Sequence, residues 1–377
     1  MNAFLIKNGV VYHPEHHACI REDIAVEDGR IAAVDQGKSY TEIDAEGCIV
    51  TPGLIDFHVH YFNRGTENGV NPDAASFPCG ITTAVDGGSC GAAHYELYRQ
   101  SVMAHSDVRI LNYLLMASGG QITDQYPERL EAEYFDRDKI RRLFKEYPCN
   151  LAGLKIRMSN GIIAPEKAEE SLGETVKLAG ELGCNVVVHI TNPVMDLEKL
   201  AGMLRGGDVI CHCYQDKGAE NILNSDGTIR AGILKARERG VLFDASNGRN
   251  NYDLEVCKKA LAQGFAPDII SSDINTSGLF LQPLHSLPRI MGKYLALGMS
   301  LEDVLDAVIF TPARLVHREE LASMEVGTTA DMAILRIVGK ELLYCDMAGH
   351  KMTGSQAIVP QMTIKGGKIM YCQADFN

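Results

Sequence analysis

The stretch Gly53–His60, GLIDFHVH, sets Asp56, His58 and His60 on alternate positions of an otherwise apolar run. Strand side chains alternate between faces with period two, so this spacing predicts a strand that aims two imidazoles the same way at its C-terminal end, where they can share one metal. Partners for that pair must come from other segments, and where those segments fall decides the fold.

Downstream, strand-like runs alternate with helical stretches. Leu54–Val59, Ile81–Asp86, Arg109–Met116, Gly153–Arg157, Asn185–His189, Asp208–His212, Gly240–Asp244 and Asp268–Asp273 read as strands. Pro165–Gly183 and the run from Ser300 through Ala307 have helical apolar spacing with Pro or Ser at their starts. Eight such units predict an α/β chain closed as a (β/α)8 TIM barrel, which leaves no parallel strand with an exposed edge. The first 50 residues and the far carboxyl end (TADMAILRIVGKEL, SQAIVPQMTIKGG, KIMYCQ) are instead β-rich and punctuated by turn glycines. The simplest arrangement is a small β-sandwich module made from both termini, residues 1–53 plus 320–377, around a hydrolase barrel of residues 54–319.

Barrel chemistry gathers where strands end and βα loops begin. His58 and His60 close the first strand, Lys155 lies in the fourth, His189 ends the fifth, His212 the sixth and Asp273 the eighth. Taken alone, a histidine such as His189 reads equally well as a satisfied core residue. Together, each would be an expensive intrusion into a Val/Ile/Leu wall unless partnered, and four imidazoles with a carboxylate suit a divalent cation such as zinc. Lys155 is the odd member, because an ammonium offers three donors and no acceptor and repels a cation. Desolvated among positive charges it would have a lowered pKa, and its neutral amine could add carbon dioxide to form a carbamate with two oxygens, enough to bridge two metals.

At these residues the chain resembles the amidohydrolase superfamily, in its binuclear form with a carboxylated lysine. GLIDFHVH is similar to that family's first-strand metal motif, and GLKIR around Lys155 to its bridging-lysine segment. VVVHI with His189 and VICHCYQ with His212 resemble the segments that hold the second metal, and IISSDI with Asp273 the strand-eight segment. The resemblance implies a closing helix at TPARL and a return to the β module at GTTADMAIL. A narrower resemblance, to the amidohydrolase/deacetylase branch, is carried by ITTAVDGGSCGAAHY, LKIRMSNGI, GDVICHCYQ, ERGVLFDASNGRNNYD and GFAPDIISSDI. Asn247 stands where that branch would have a histidine, and Asn275 follows the aspartate where histidine is commoner.

The resemblance implies two divalent metal ions, zinc by preference, on His58, His60, carboxylated Lys155 (N6-carboxylysine), His189, His212 and Asp273. It also implies hydrolysis of an acyl bond, amide or ester, by a metal-bridging hydroxide with Asp273 as ligand and proton shuttle. Substrate contacts are expected from Arg157, which shares the inward face of Lys155, and from Tyr214, Asn247 and Arg249 on the loops after the sixth and seventh strands. The arginines favour a small substrate bearing a carboxylate, such as an N-acyl amino acid or an acetylated hydroxy acid. A cyclic amidase or dipeptidase-like enzyme is the nearest alternative, and a non-enzymatic metal-binding assembly protein the more distant one.

Bulk properties narrow the partners. At 377 residues, 46% hydrophobic and 23% charged, the chain has an ordinary globular composition. A net charge of -13 argues against a nucleic-acid binder. The amino end lacks a secretory apolar run, and no stretch approaches the ~20 apolar residues of a spanning helix, so no membrane partner and a cytoplasmic location are expected. A small-molecule substrate is the expected partner, and self-association into a homo-oligomer is compatible with such a barrel. The 11 cysteines show no disulfide-scaffold spacing. Cys211 and Cys213 flank His212, and strand alternation predicts that both thiols pack on the face opposite the imidazole.

Overall fold

The computed structural model describes residues 3–280 and 286–376, so residues 1, 2 and 377 of the expected terminal module and 281–285 of the expected barrel lie outside the described residues. The amino-terminal part forms short strands β1 (Phe4–Lys7), β2 (Val10–His13), β3 (Ala18–Arg21), β4 (Ile24–Glu27), β5 (Arg30–Ala32), β6 (Thr41–Asp44) and β7 (Ile49–Pro52). Then come β8 (Leu54–Val59), β9 (Ile81–Asp86), β10 (Arg109–Leu115), β11 (Leu151–Arg157), β12 (Asn185–His189), β13 (Val209–Cys211) and β14 (Leu242–Asp244). The carboxyl end adds β15 (Met332–Cys345), β16 (Lys351–Lys365) and β17 (Lys368–Cys372).

Strands β8 to β14 form one seven-stranded sheet in sequence order, every neighbouring pair parallel. Parallel strands covered on both faces read as continuous apolar runs, and Val186–Val188 in β12 and the flanking Leu154 and Ile210 are all buried. The helix Pro165–Leu182 supplies one cover: Pro165 starts it, Leu172 and Leu178 face the core, and Gly183, at φ +68°, ends it in the left-handed conformation.

The eighth expected strand differs. Residues 268–274 are held by single bridges, Ile269 to Asp244 and Ile274 to Val59, rather than by a regular ladder. Backbone bonds run to both sides: Ala245 N to Ile269 O at 2.9 Å and Asn247 N to Ser271 O at 3.0 Å, then Asp273 N to His58 O at 2.8 Å and His60 N to Ile274 O at 2.9 Å. Regular pairing fails because Asp273 has φ +51° and Ser246, on the flanking segment beside Ser271, φ +38°, outside the extended region.

Both ends of the chain meet in two further sheets, in the orders β5-β4-β1-β6 and β17-β16-β15-β7-β2-β3. Ile6, Val11, Val26 and Val50 from the first part pack with Met332, Ile334 and Ile364 from the last. The β15–β16 ribbon is longer than the sequence suggested. Its far half lies on the helix Leu287–Ala296, where a Cβ on Gly292 would stand 2.9 Å from Tyr344 Oη and one on Gly354 2.9 Å from Ala296 Cβ. At its tip Asp346 accepts from Leu254 N at 2.8 Å, completing the N-terminus of the helix Leu254–Leu261. Among the described residues, no helix is long and apolar enough to cross a membrane.

Candidate metal centre

His58 and His60 leave the end of β8 with ring centroids 5.5 Å apart, as period-two side chains of one strand do. Asp273 faces both, its Oδ1 3.1 Å from His60 Nε2 and 3.7 Å from His58 Nε2. The His212 ring lies 5.2 Å from that of His58 and 4.4 Å from that of His189. With Lys155 these residues line a single cavity of about 370 Å³ at the C-terminal ends of the strands, and Arg157 and Arg249 line it as well.

Three of the imidazoles have a partner at their far nitrogen. His58 Nδ1 is 2.7 Å from Ser246 Oγ, whose own hydrogen goes to Asp244 Oδ2 at 2.6 Å, so the ring donates at Nδ1 and keeps a lone pair at Nε2. His212 Nδ1 donates to Ser246 O at 2.9 Å, and His60 Nδ1 lies 3.0 Å from Ser89 Oγ. Burial, reinforced by the Lys155 charge, holds His58 well below the usual histidine range. Burial likewise depresses His189, and His212 falls to about 4, with the Asp273 charge opposing the fall. Burial by itself pushes the Asp273 carboxyl up, but the His60 hydrogen bond and the nearby imidazoles outweigh it and leave Asp273 below the ordinary value. The neutral imidazoles of His58, His189 and His212 beside an ionised carboxylate suit a divalent cation, and these residues fit one. The ligand atoms of His58, His60 and Asp273 all lie within 4.8 Å of one another, as do those of His58, Cys211 and His212.

Close packing explains three glycines in this rim. A Cβ on Gly87 would sit 2.4 Å from His58 Nε2, and one on Gly88, at φ +102°, 2.8 Å from Lys155 Cγ. Gly248 is tighter still: its Cβ would be 1.8 Å from Asp273 Oδ2, the oxygen that accepts from Asn251 Nδ2 at 2.8 Å.

The expected substrate contacts divide. Arg157 lines the cavity but is ion-paired with Glu128, and Arg249 lines it from the loop after β14. Tyr214 and Asn247 do not reach it. Tyr214 is fully buried and donates to Phe265 O at 2.8 Å, because the loop after β13 turns its ring into the layer behind the sheet, against Tyr252. Asn247 is also buried, its Oδ1 accepting from Lys293 Nζ and its backbone N–H donating to Ser271 O. The expectation for Cys211 is also corrected: Lys155 Nζ donates to its Sγ at 3.1 Å, inside the ring of candidate ligands. His212, at φ +62°, breaks the strand alternation on which that expectation rested. Residues the sequence did not single out include Ser246, Ser89, Asn251 and Glu128, each a polar side chain whose partner lies far along the chain.

The sequence profile of the amidohydrolase family matches residues 49–370. The chain belongs to that family. It is accordingly a hydrolase enzyme, in a family that generally binds divalent metals. A deacetylase of Agrobacterium fabrum is 28% identical over 351 residues, covering 90% of this chain and 84% of that protein. A deacetylase of Enterococcus faecalis is 27% identical over 376 residues, covering 97% of this chain and 98% of its own. Among solved structures, a dihydroorotase superposes with a TM-score of 0.90 at 25% identity, covering 99% of this chain and 98% of that one.

Proposed function

We propose that the protein is a metal-dependent hydrolase that cleaves an acyl bond, amide or ester, of a small carboxylate-bearing substrate such as an N-acyl amino acid or an acetylated hydroxy acid. The observation that carries this reading is the convergence of Asp273, four imidazoles and Lys155 on one polar cavity. The relatives named deacetylases favour acyl cleavage over ring opening. His58, His60 and Asp273 would hold one cation, and His189 and His212 a second, with Lys155, once carboxylated, between them. Bound divalent ions would sharpen water into a nucleophile at neutral pH and polarise the scissile carbonyl.

The chain's own residues then have distinct tasks. Asp273, with Oδ1 toward the histidines and Oδ2 held by Asn251, would take the proton of the attacking water and return it to the leaving nitrogen or oxygen. Ser246 holds the tautomers of His58, through Oγ, and of His212, through its carbonyl, and Ser89 positions His60. Arg157, fixed by Glu128, and Arg249 would receive the substrate carboxylate. The same reading takes residues 268–274 as the eighth element of a closed (β/α)8 barrel, supported by their backbone bonds to both flanking strands. It takes residues 1–53 with 320–377 as the scaffold module.

A hydrolysis screen on metal-reconstituted protein tests this, with N-acyl amino acids, acetylated hydroxy acids, hydantoins, dihydropyrimidines and β-linked dipeptides, and metal content measured on the same sample. Turnover of an acylated acid, lost on chelation and restored by zinc, is expected. Turnover of only the cyclic amides or dipeptides, or activity indifferent to thorough metal removal, would overturn the proposal.

A further inference from the structure

We propose that the acid half of the substrate carries a hydroxyl or carboxamide side group rather than a hydrocarbon one, and that the side-chain amides of Asn68, Gln121 and Asn250 select it. The inference rests on the hydrolase reading above and names the substrate class that this same cavity takes.

Two observations carry it. Among the described residues that line the cavity, Ile162 alone has a purely hydrocarbon side chain. Pockets for small ligands are ordinarily lined mostly by apolar side chains with a few polar groups among them, and here that proportion is reversed. The second observation is that polar groups outside the buried candidate ligands are uncommitted. Asn68, Gln121, Asn250 and Ser277 come from four separate segments, after β8, β10 and β14 and in the helix Thr276–Phe280. Among the described residues, none of their side chains has a hydrogen-bond partner. Three of these segments are nonetheless tied in place by main-chain bonds: Thr276 N donates to Asn68 O at 3.1 Å, Glu67 N to Ile122 O at 3.0 Å and Gln121 N to Ser89 O at 3.0 Å. The backbone is anchored while the side-chain donors and acceptors are unspent, which is the arrangement of a preorganised polar subsite.

Bound substrate displaces the water that solvates such amides. A hydroxyl or carboxamide restores the lost hydrogen bonds, whereas a hydrocarbon group of the same size leaves them unmade, at a cost of about tenfold in kcat/KM for each group left unpaired. Asp124 lines the same cavity and would repel a second carboxylate, while Arg157 and Arg249 would repel an ammonium, so a neutral polar group fits best.

Acids matched in size test this on metal-loaded protein: threonine against valine and asparagine against leucine side groups, each as the N-acetyl amino acid and as the matching 2-acetoxy acid, in both enantiomers. The polar member should exceed its hydrocarbon partner in kcat/KM by about tenfold or more in at least one pair. Asn68→Leu, Gln121→Met and Asn250→Leu each remove an amide at nearly constant volume and should shrink that ratio. Metal content measured on each sample shows whether the centre is intact, and a merely structural fault would lower both members of a pair alike. A ratio under tenfold in every pair would overturn the inference and leave the hydrolase reading standing. A larger ratio that none of the three substitutions moves would overturn the assignment to these amides. No turnover of any acylated acid would overturn both readings.

Discussion

Replacing Ser246 by alanine removes one oxygen that three buried groups share. Its Oγ lies 2.7 Å from His58 Nδ1, gives its hydrogen to Asp244 Oδ2 at 2.6 Å, and lies 3.2 Å from Ser271 Oγ. Asp244 keeps its bonds from Ser246 N at 3.0 Å and from Ser271 Oγ at 2.8 Å. His58 Nδ1 loses its close partner, and leaving one buried polar group unsatisfied costs about 1–3 kcal/mol. The bond also fixes which nitrogen of His58 carries the lone pair, so the loss should surface in metal binding: removing such an orienting partner lowers affinity about 10–100-fold, or about 1.4–2.8 kcal/mol. Both ranges have the size of one lost hydrogen bond. Zinc dissociation from Ser246→Ala, measured against a competing chelator, should be tighter than that of His58→Ala and weaker than wild type by that factor. Wild-type zinc affinity in a folded Ser246→Ala protein would refute the reasoning.

Four further outcomes are expected. Gly87→Ala places a Cβ 2.4 Å from His58 Nε2, so the ring must move and the purified variant should carry markedly less metal at near-normal helix content by circular dichroism. Asp273→Asn keeps the side-chain volume but removes the proton acceptor, so kcat should fall by 10²-fold or more in order of magnitude while metal content falls far less. Tyr214→Phe should leave kcat and KM within about twofold and lower stability by about 1 kcal/mol, read by urea titration, because the hydroxyl serves only Phe265 O. Burial pushes Lys293 down to about 7 from an ordinary lysine value of 10.5. Between those values the unfolded chain binds the extra proton, so this residue's contribution to stability rises with pH, by at most about 1.4 kcal/mol per unit for one proton. The stability difference between wild type and Lys293→Met should therefore move in favour of wild type as pH climbs from 7 to 10, and a flat difference would show that the ammonium is solvated.

The parallel sheet and the ring of candidate ligands were legible because both follow a strict period. Apolar runs mark the buried strands, and an ionisable residue at the end of such a run is conspicuous, as with His189 after Val186–Val188. The period stops where backbone leaves the extended region. Cys211 was assigned to the wrong face because His212 turns to positive φ, and residues 268–273 read as a strand although Asp273 does the same. Loop side chains carry no period at all, which is why Tyr214 and Asn247 were placed in the cavity and Asn251 was passed over. Glu128 could not be foreseen, because nothing local to Arg157 announces a carboxylate 29 positions earlier.

The ribbon tip that completes the helix Leu254–Leu261 links two events in the life of the chain. Asp346 sits 92 positions after the amide it serves, Leu254 N, and the loop carrying Asn251 runs directly into that helix. During synthesis, therefore, this bond forms only after residue 346 has left the ribosome, when every candidate ligand has already emerged. The chain thus gains its candidate metal donors before the helix beside them receives its most distant N-terminal partner.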